Sequence, residues 1–103
     1  MDQEFYNRNS DISMTCGAVS VSCFIIGNML YCINVGDARA VICRNGKAVN
    51  LSFDHKATCK KEQKLVKKRG GYMLAGRVLG KLAITRSFGD FEMKVQKDEK
   101  GKI

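Results

Sequence analysis

The chain has 103 residues, of which 45% are apolar, so it corresponds to one small domain or to a piece of a larger one. No stretch approaches the roughly 20 apolar residues of a membrane span, and the acidic first residues argue against a secretory signal. The net charge of +8 lies entirely in residues 54–103, since residues 1–53 carry equal numbers of acids and bases. Such a one-sided basic surface attracts acidic or phosphate-bearing partners.

The five cysteines are an odd number and include no Cys-x-x-Cys pair. Without a secretory signal they indicate reduced thiols in a cytoplasmic or nuclear protein. His55 is the sole histidine and close ligand pairs are missing, so packing in the core is a better interpretation of these cysteines than a zinc site.

Residues 1–15 are polar and mixed, which predicts a loop or a frayed end. Residues 17–26 are rich in β-branched side chains with a period of two, which is typical of a strand. Three turn signals follow, at Gly27-Asn28, Gly36-Asp37 and Asn45-Gly46. They predict four strands, at 17–26, 29–35, 38–44 and 47–53. The first three have the apolar content expected inside an antiparallel β-sandwich, and the last has a half-buried alternating pattern.

A helix is predicted over residues 59–69, with Thr58 as its N-cap and Gly70-Gly71 as its end. Short strands are predicted at 72–74 and 78–84, and the charged tail at 94–103 is expected to be mobile. The helix carries six basic residues and one acid, Glu62. Because residues 56–71 contain no aromatic side chain that could stack on bases, a solvated basic face is favoured over a nucleic-acid site.

Four charged residues are the candidates for chemistry. Asp37 stands at a predicted hairpin tip, where Mg²⁺ or Mn²⁺ could find an oxygen ligand, although from spacing alone a turn role is favoured. His55 follows an acid and could act in acid–base catalysis, but no nucleophile motif stands nearby, so a structural histidine is favoured. Arg86 and Asp90 could form an ion pair or a cap.

Several ordered motifs resemble those of one known family. Residues 27–31 (GNMLY) and 34–41 (NVGDARAV) are similar to the stretch G-N-x-L-Y-x-x-N-x-G-D-S-R-A-V. Residues 51–56 (LSFDHK), Glu62 and the double glycine then follow at the family's intervals. Residues 76–78 (GRV) and 82–90 (LAITRSFGD) are similar to G-R-V followed by L-A-x-S-R-x-F-G-D. Residues 17–93 thus resemble part of the metal-dependent Ser/Thr protein phosphatases of the 2C class.

The resemblance implies an α+β fold, an antiparallel β-sandwich with flanking helices that forms part of an α/β/β/α architecture. It implies three segments, namely a loop at 1–15, the central part of the domain at 16–93 and a charged tail at 94–103 where the flap region starts. It also implies hydrolysis of phosphoserine and phosphothreonine with a binuclear Mn²⁺ or Mg²⁺ centre, which supplies a hydroxide-like nucleophile near neutral pH.

The same resemblance assigns roles to four residues. Asp37 matches a ligand of a third, weaker metal, with Gly36 as support in the same motif. Arg86 and Asp90 match residues that support the active-site wall. This chain departs from its relatives at three places. Relatives show Ser-Gly-x-Thr where this chain has residues 16–19 (CGAV), and they have serine and proline where this chain has Ala38 and Ala57. The motifs for the primary metals are missing, so we expect these 103 residues alone not to catalyse.

Two other functions are left open, a pseudophosphatase or regulatory protein-binding module, and a basic module that binds acidic surfaces or nucleic acid. The expected partner is a phosphorylated protein, with no nucleic acid and no membrane, and exposed sheet edges would favour oligomers. Metal motifs in neighbouring sequence would favour the phosphatase. Their absence from the full-length protein would favour the pseudophosphatase. Strongly salt-dependent nucleic-acid binding would favour the basic module.

Overall fold

A computed structural model describes residues 1–94, which fall into two compact units. The first unit contains Met1–Ala18 and the segment that starts at Phe88, and the second contains Val19–Ser87. In chain order the elements are α1 (Asp2–Arg8), α2 (Ser10–Thr15), β1 (Gly17–Ala18), β2 (Ser20–Ile26), β3 (Met29–Val35), β4 (Val41–Arg44), β5 (Lys47–Asn50), α3 (Lys60–Lys68), β6 (Met73–Leu74), β7 (Arg77–Val78), β8 (Phe88–Gly89) and a 3₁₀ turn (Phe91–Met93).

The first unit is built on helices where the sequence predicted a loop, so the prediction for residues 1–15 is wrong. Strand β1 pairs antiparallel with β8, and the ring of Tyr6 in α1 packs against Phe91, with 4.8 Å between ring centroids. Phe91 is buried and lies far away in sequence. Because this packing partner comes from the other end of the chain, the local composition of residues 1–15 could not reveal it. The charged tail predicted at 94–103 lies, apart from Lys94, outside the described residues.

The second unit contains the hairpins that the turn signals predicted. Strands β2 and β3 pair antiparallel from Ser20↔Val35 to Ile26↔Met29, around the predicted turn at Gly27-Asn28. Strands β4 and β5 pair around Asn45-Gly46, where φ is +52° and +72°. Positive φ at both central residues is the requirement of a type I′ turn, which Asn45-Gly46 meets. The two strand pairs confirm both hairpin predictions.

Most predicted strands are longer than the observed ones. Residues 17–26 are interrupted at Val19, residues 38–44 pair only from Val41, and residues 47–53 only as far as Asn50. Residues 78–84 leave the strand after Val78, because the next two residues have positive φ and the N–H of Val78 bonds the carbonyl of Leu82 at 2.8 Å. Apolar content predicts where strands lie better than where pairing stops.

Helix α3 is shorter than predicted by one residue at each end, and its cap differs. Cys59 rather than Thr58 precedes it, without a side-chain capping bond. At the other end the N–H of Gly70 bonds the carbonyl of Lys67 at 3.1 Å and the N–H of Gly71 bonds that of Val66 at 3.0 Å. With φ of +85° at Gly70, these bonds form a Schellman motif. The predicted glycine stop is confirmed.

The predicted α+β class with antiparallel strands is confirmed, although the burial predicted for the strands is not. The described strands form four two-stranded sheets, and apolar side chains on both faces of the β2–β3 hairpin are exposed, Ile25 by 79% and Ile26 by 67%. The prediction that cysteines pack in the core is wrong as well, since four thiols are exposed and Cys32 is half-buried, all five being free. Within residues 1–94 no helix has both the length and the apolar content needed to cross a bilayer.

We expect Gly36→Ala to destabilise the chain by about 2–4 kcal/mol, because φ is +101° and the new methyl group would collide with the side chain of Val19. Gly46→Ala is the matched control. Its φ is +72° and the surrounding space is open, so it carries only the backbone cost of about 1 kcal/mol. Urea unfolding followed by circular dichroism measures both losses, and equal losses would show that the contact with Val19 has no weight.

Candidate functional site

The candidate site is the loop between β3 and β4, which we call the 36–40 loop. The chain leaves β3 at Val35 and turns at Gly36, which is buried, whereas Asp37 is exposed. Among the described residues, the Asp37 carboxylate forms no hydrogen bond or ion pair. The predicted turn at Gly36-Asp37 therefore presents an open carboxylate next to a buried backbone.

His55 holds the start of this loop through two reciprocal hydrogen bonds. The backbone N–H of Gly36 donates to Nδ1 of His55 at 3.1 Å, and the backbone N–H of His55 donates to the Gly36 carbonyl at 2.9 Å. Because Nδ1 accepts a bond, it carries no proton in this arrangement. The interpretation of His55 as a structural histidine is confirmed.

Further bonds hold the 36–40 loop against the segment that follows β5. The side-chain amide of Asn34 donates to the carbonyls of Gly36 at 3.2 Å and Phe53 at 2.8 Å. The N–H of Ala40 donates to the hydroxyl of Ser52 at 2.9 Å, and the Ala40 carbonyl accepts from Leu51 at 2.9 Å. The loop is thus bonded at both its ends, which limits the positions open to the Asp37 backbone.

A charge cluster lies on the outer side of the same loop. Arg39 donates two hydrogen bonds to Asp54, at 2.9 and 2.6 Å, and the ammonium of Lys56 lies 3.1 Å from the same carboxylate. The Arg39 guanidinium, followed by Lys56, holds the pKa of Asp54 far below its ordinary value, and Asp54 in turn raises the pKa of Arg39. The two-bond contact between Arg39 and Asp54 is thus another connection between the 36–40 loop and the segment after β5.

For Arg86 the sequence left open an ion pair or a cap with Asp90, and in the structure its ion-pair partner is Glu62 of α3. The guanidinium donates to both oxygens of Glu62, at 2.9 and 2.8 Å. Glu62 is only 6% exposed. The Thr85 hydroxyl lies 2.8 Å from Glu62 and 3.1 Å from the carbonyl of His55, and donates to one of these acceptors. A buried carboxylate needs such hydrogen-bond partners, and the guanidinium of Arg86 supplies two of them.

The pKa values of the pair follow from this geometry. The hydrogen bonds from Arg86 lower the pKa of Glu62 despite its burial, with a further contribution from Thr85. Glu62 raises the pKa of Arg86. Both side chains are therefore charged across the neutral range, and the ion pair holds residues 85–86 on α3.

The other two predicted support residues have different surroundings. A methyl group on Gly36 would lie 3.3 Å from the backbone carbonyl of Arg86, so these two residues are neighbours in the second unit. Asp90 belongs to the first unit, where its N–H donates to the carbonyl of Cys16 at 2.9 Å and its carboxylate lies against Gly17. Asp90 has φ of +50° and directly precedes the 3₁₀ turn, without a side-chain capping bond.

The described residues of the site offer a hard cation a single ligand, the carboxylate of Asp37, rather than a complete metal centre. The exposed carboxylate of Asp37 is an oxygen ligand of the type that Mg²⁺ and Mn²⁺ take. Within residues 1–94, no group of three or more His, Cys, Asp or Glu side chains lies close enough together to hold an ion. Asp37 therefore fits as one ligand whose companions must come from elsewhere.

Glu62 is the residue near the candidate site whose ion pair with Arg86 the sequence reasoning missed. One signal could have identified it. Glu62 is the sole acid in a helix of lysines, and it lies on the same narrow face as Leu65 and Val66, the helix's apolar anchors. An acid on the buried face requires a cationic partner, and Arg86 stands among apolar residues with the same requirement.

A family model described as "Protein phosphatase 2C" matches residues 1–101 of the chain. Among curated proteins, "Probable protein phosphatase 2C 43" of Arabidopsis thaliana is 46% identical over 81% of the chain. "Protein phosphatase 2C homolog 1" of Schizosaccharomyces pombe is 39% identical over 91% of the chain. The chain spans 20% of the first relative and 30% of the second.

We expect Glu62→Gln to lower the free energy of unfolding by about 2–3 kcal/mol, because it leaves Arg86 without its charged partner. The loss stays below that of a fully buried pair since the Arg86 side chain is 47% exposed. Glu4→Gln breaks the exposed pair with Arg8 and should cost at most about 0.5 kcal/mol. Urea unfolding measures both variants, and a Glu62→Gln loss no larger than the control would contradict the assigned role.

The Glu62–Arg86 pair should also depend on pH. A carboxylate whose native pKa is lowered stabilises the fold above its ordinary pKa of 4.5, and that stability is lost as the pH falls through the lowered value. The difference in unfolding free energy between wild type and Glu62→Gln should be constant above about pH 5 and shrink below it. Asp54 is intact in both proteins, so its titration cancels. A difference that does not change from pH 6 to pH 3 would contradict the lowered pKa.

Proposed function

Because the chain belongs to the protein phosphatase 2C family, we propose that it is a segment of a metal-dependent protein phosphatase that hydrolyses phosphoserine and phosphothreonine. The single observation that supports the proposal is the open carboxylate of Asp37 on a loop bonded at both ends. A bound Mn²⁺ or Mg²⁺ supplies a nucleophile from water near neutral pH and neutralises phosphate charge.

We propose that Asp37 would be a ligand of a third, weaker metal beside the binuclear centre, and that the residues around it would fix its position. His55 and Asn34 hold the backbone of Gly36. Arg39, which lies two residues after Asp37 in the same loop, is held by Asp54. A ligand on a loop that is restrained in this way needs little reordering when the ion binds. This preorganisation is the contribution that we propose for the 36–40 loop.

Arg86 would act as a positioning residue rather than a ligand. Its guanidinium is forked on Glu62, so both Nε and Nη2 are engaged in holding the segment at 85–86 on α3. We propose that this ion pair supports one wall of the active site. For Asp90, which directly precedes the 3₁₀ turn, we propose the same supporting role that its motif implies.

The chain alone should be inactive, since Asp37 is a single ligand and a phosphatase centre of this type needs several carboxylates. We propose that the remaining ligands come from other parts of a longer protein. The substrate would be a phosphorylated protein, and the lysines exposed along α3 would favour its approach electrostatically. We propose no nucleic-acid or membrane partner and a cytoplasmic or nuclear location, with oligomers possible through the exposed sheet edges.

We expect no Mn²⁺-dependent hydrolysis of a small phosphoester by the 103 residues, and clear hydrolysis by the longer protein that contains them. In the longer protein, Asp37→Asn should raise the Mn²⁺ concentration for half-maximal rate by at least about tenfold, because a charged ligand becomes a neutral one. Steady-state rates across a Mn²⁺ series measure this shift.

Asp11→Asn is the matched control for charge, since Asp11 is an exposed acid of α2 outside the loop. It should leave the Mn²⁺ dependence unchanged. Turnover by the 103 residues that is lost in Asp37→Asn would contradict the proposal that they are inactive alone. An equal shift in both variants of the longer protein would show that Asp37 acts only through net charge.

A further inference from the structure

Two cysteines face each other across the β2–β3 hairpin. In the observed register Cys23 pairs with Cys32. Residues directly opposite in an antiparallel pair point to the same face of the sheet, so the two thiols share one face. Among the described strands this is the one place where a cysteine lies opposite another, since Cys43 pairs with Ala48.

The position of the pair in the ladder brings it within bonding reach. The loop of the hairpin has two residues, so Ile26 and Met29 form the first hydrogen-bonded pair, and the two pair types alternate from there. Cys23 and Cys32 then form a non-hydrogen-bonded pair, in which Cα atoms lie about 4.5 Å apart. Disulfides span Cα separations of roughly 4.4 to 6.8 Å, so this pair falls inside the range.

The two thiols are cross-strand neighbours and one of them is accessible. Burial raises the pKa of Cys32, and the neighbouring Cys23 raises it further. Cys23 is exposed, whereas Cys32 is half-buried. A disulfide reagent can therefore reach Cys23 first, with Cys32 beside it as the resolving thiol.

We propose that Cys23 and Cys32 form a reversible disulfide across the hairpin when the chain meets a small disulfide such as oxidised glutathione. The Cys23 thiolate attacks one glutathione sulfur, forming a mixed disulfide and releasing one glutathione thiolate. Cys32 then loses its proton and attacks the Cys23 sulfur, releasing the second glutathione. Two cysteine thiols are oxidised by two electrons, and one oxidised glutathione is reduced to two thiols.

The bond would fix the pairing of β2 with β3 two residues before Asn34, whose amide holds the 36–40 loop. The inference does not depend on the proposed phosphatase function, because it rests on the register of the hairpin alone. It concerns any longer protein in which the same hairpin forms.

The test uses the chain with the three other cysteines, all exposed, replaced by serine. Glutathione buffers of graded composition set the redox poise, and acid quenching stops exchange. Cleavage at methionine with cyanogen bromide cuts after Met29, between the two cysteines. If the disulfide forms, the two fragments stay joined and the mass of the chain falls by two hydrogen atoms, and reduction separates them.

We expect half-oxidation of the folded chain at an oxidised-to-reduced glutathione ratio at least about tenfold lower than in urea, because the fold holds the thiols together. Mixed disulfides with glutathione alone, or equal ratios with and without urea, would overturn the proposal. Cys32→Ser combined with Ile33→Cys is the matched control. It moves one thiol to the other face, so the folded chain should form no such bond.

A second measurement covers the case in which the serine variant fails to fold. The unsubstituted chain is oxidised in the same buffers, its remaining thiols are blocked, and it is digested with chymotrypsin, which cuts after Phe24 and Tyr31. Mass spectrometry should find a linked peptide pair that contains Cys23 and Cys32. Linkage of Cys23 to Cys16, Cys43 or Cys59 in preference would overturn the proposal.

Discussion

The reciprocal pair of hydrogen bonds between Gly36 and His55 is the constraint on which the candidate site depends. It connects the end of β3 to the segment after β5, and it requires a glycine at +101° together with a histidine whose Nδ1 is an acceptor. The bonds from Asn34 and the Arg39–Asp54 fork act on the same two segments. The backbone of Asp37 is therefore restrained, while its carboxylate forms no hydrogen bond or ion pair among the described residues. A carboxylate in this condition can act as a metal ligand.

A second set of contacts extends from the same histidine to α3. The carbonyl of His55 accepts from the backbone of Thr85 at 2.8 Å, and the Thr85 hydroxyl lies beside Glu62, which holds Arg86. Four segments that are distant in sequence are thus joined by polar bonds rather than by a large apolar core. Buried polar groups that satisfy one another specify a single arrangement more sharply than apolar contacts do, since each donor accepts few geometries.

The sequence predicted the parts of this fold that local chemistry decides. Asn45-Gly46 and Gly70 require positive φ, and the structure has turns at both places. Partners that lie far apart along the chain were predicted poorly. Tyr6 packs against Phe91, and Arg86 pairs with Glu62, 24 residues away, because tertiary packing decides these pairs. For the candidate site, motif resemblance predicted Asp37 and Gly36, whereas the residues that hold their loop became visible only through the hydrogen bonds.

Helix α3 forms against the mutual repulsion of its own side chains. Lysines stand four residues apart at Lys60 and Lys64 and again at Lys64 and Lys68, where like charges oppose a helix. The helix persists because its glycine end is bonded and its one acid is paired in the interior. Dissolved ions would shield the exposed lysines from one another more than they would weaken the Glu62–Arg86 pair, whose carboxylate is buried. This helix should therefore tighten as ionic strength rises, the reverse of the behaviour of a segment held by surface ion pairs.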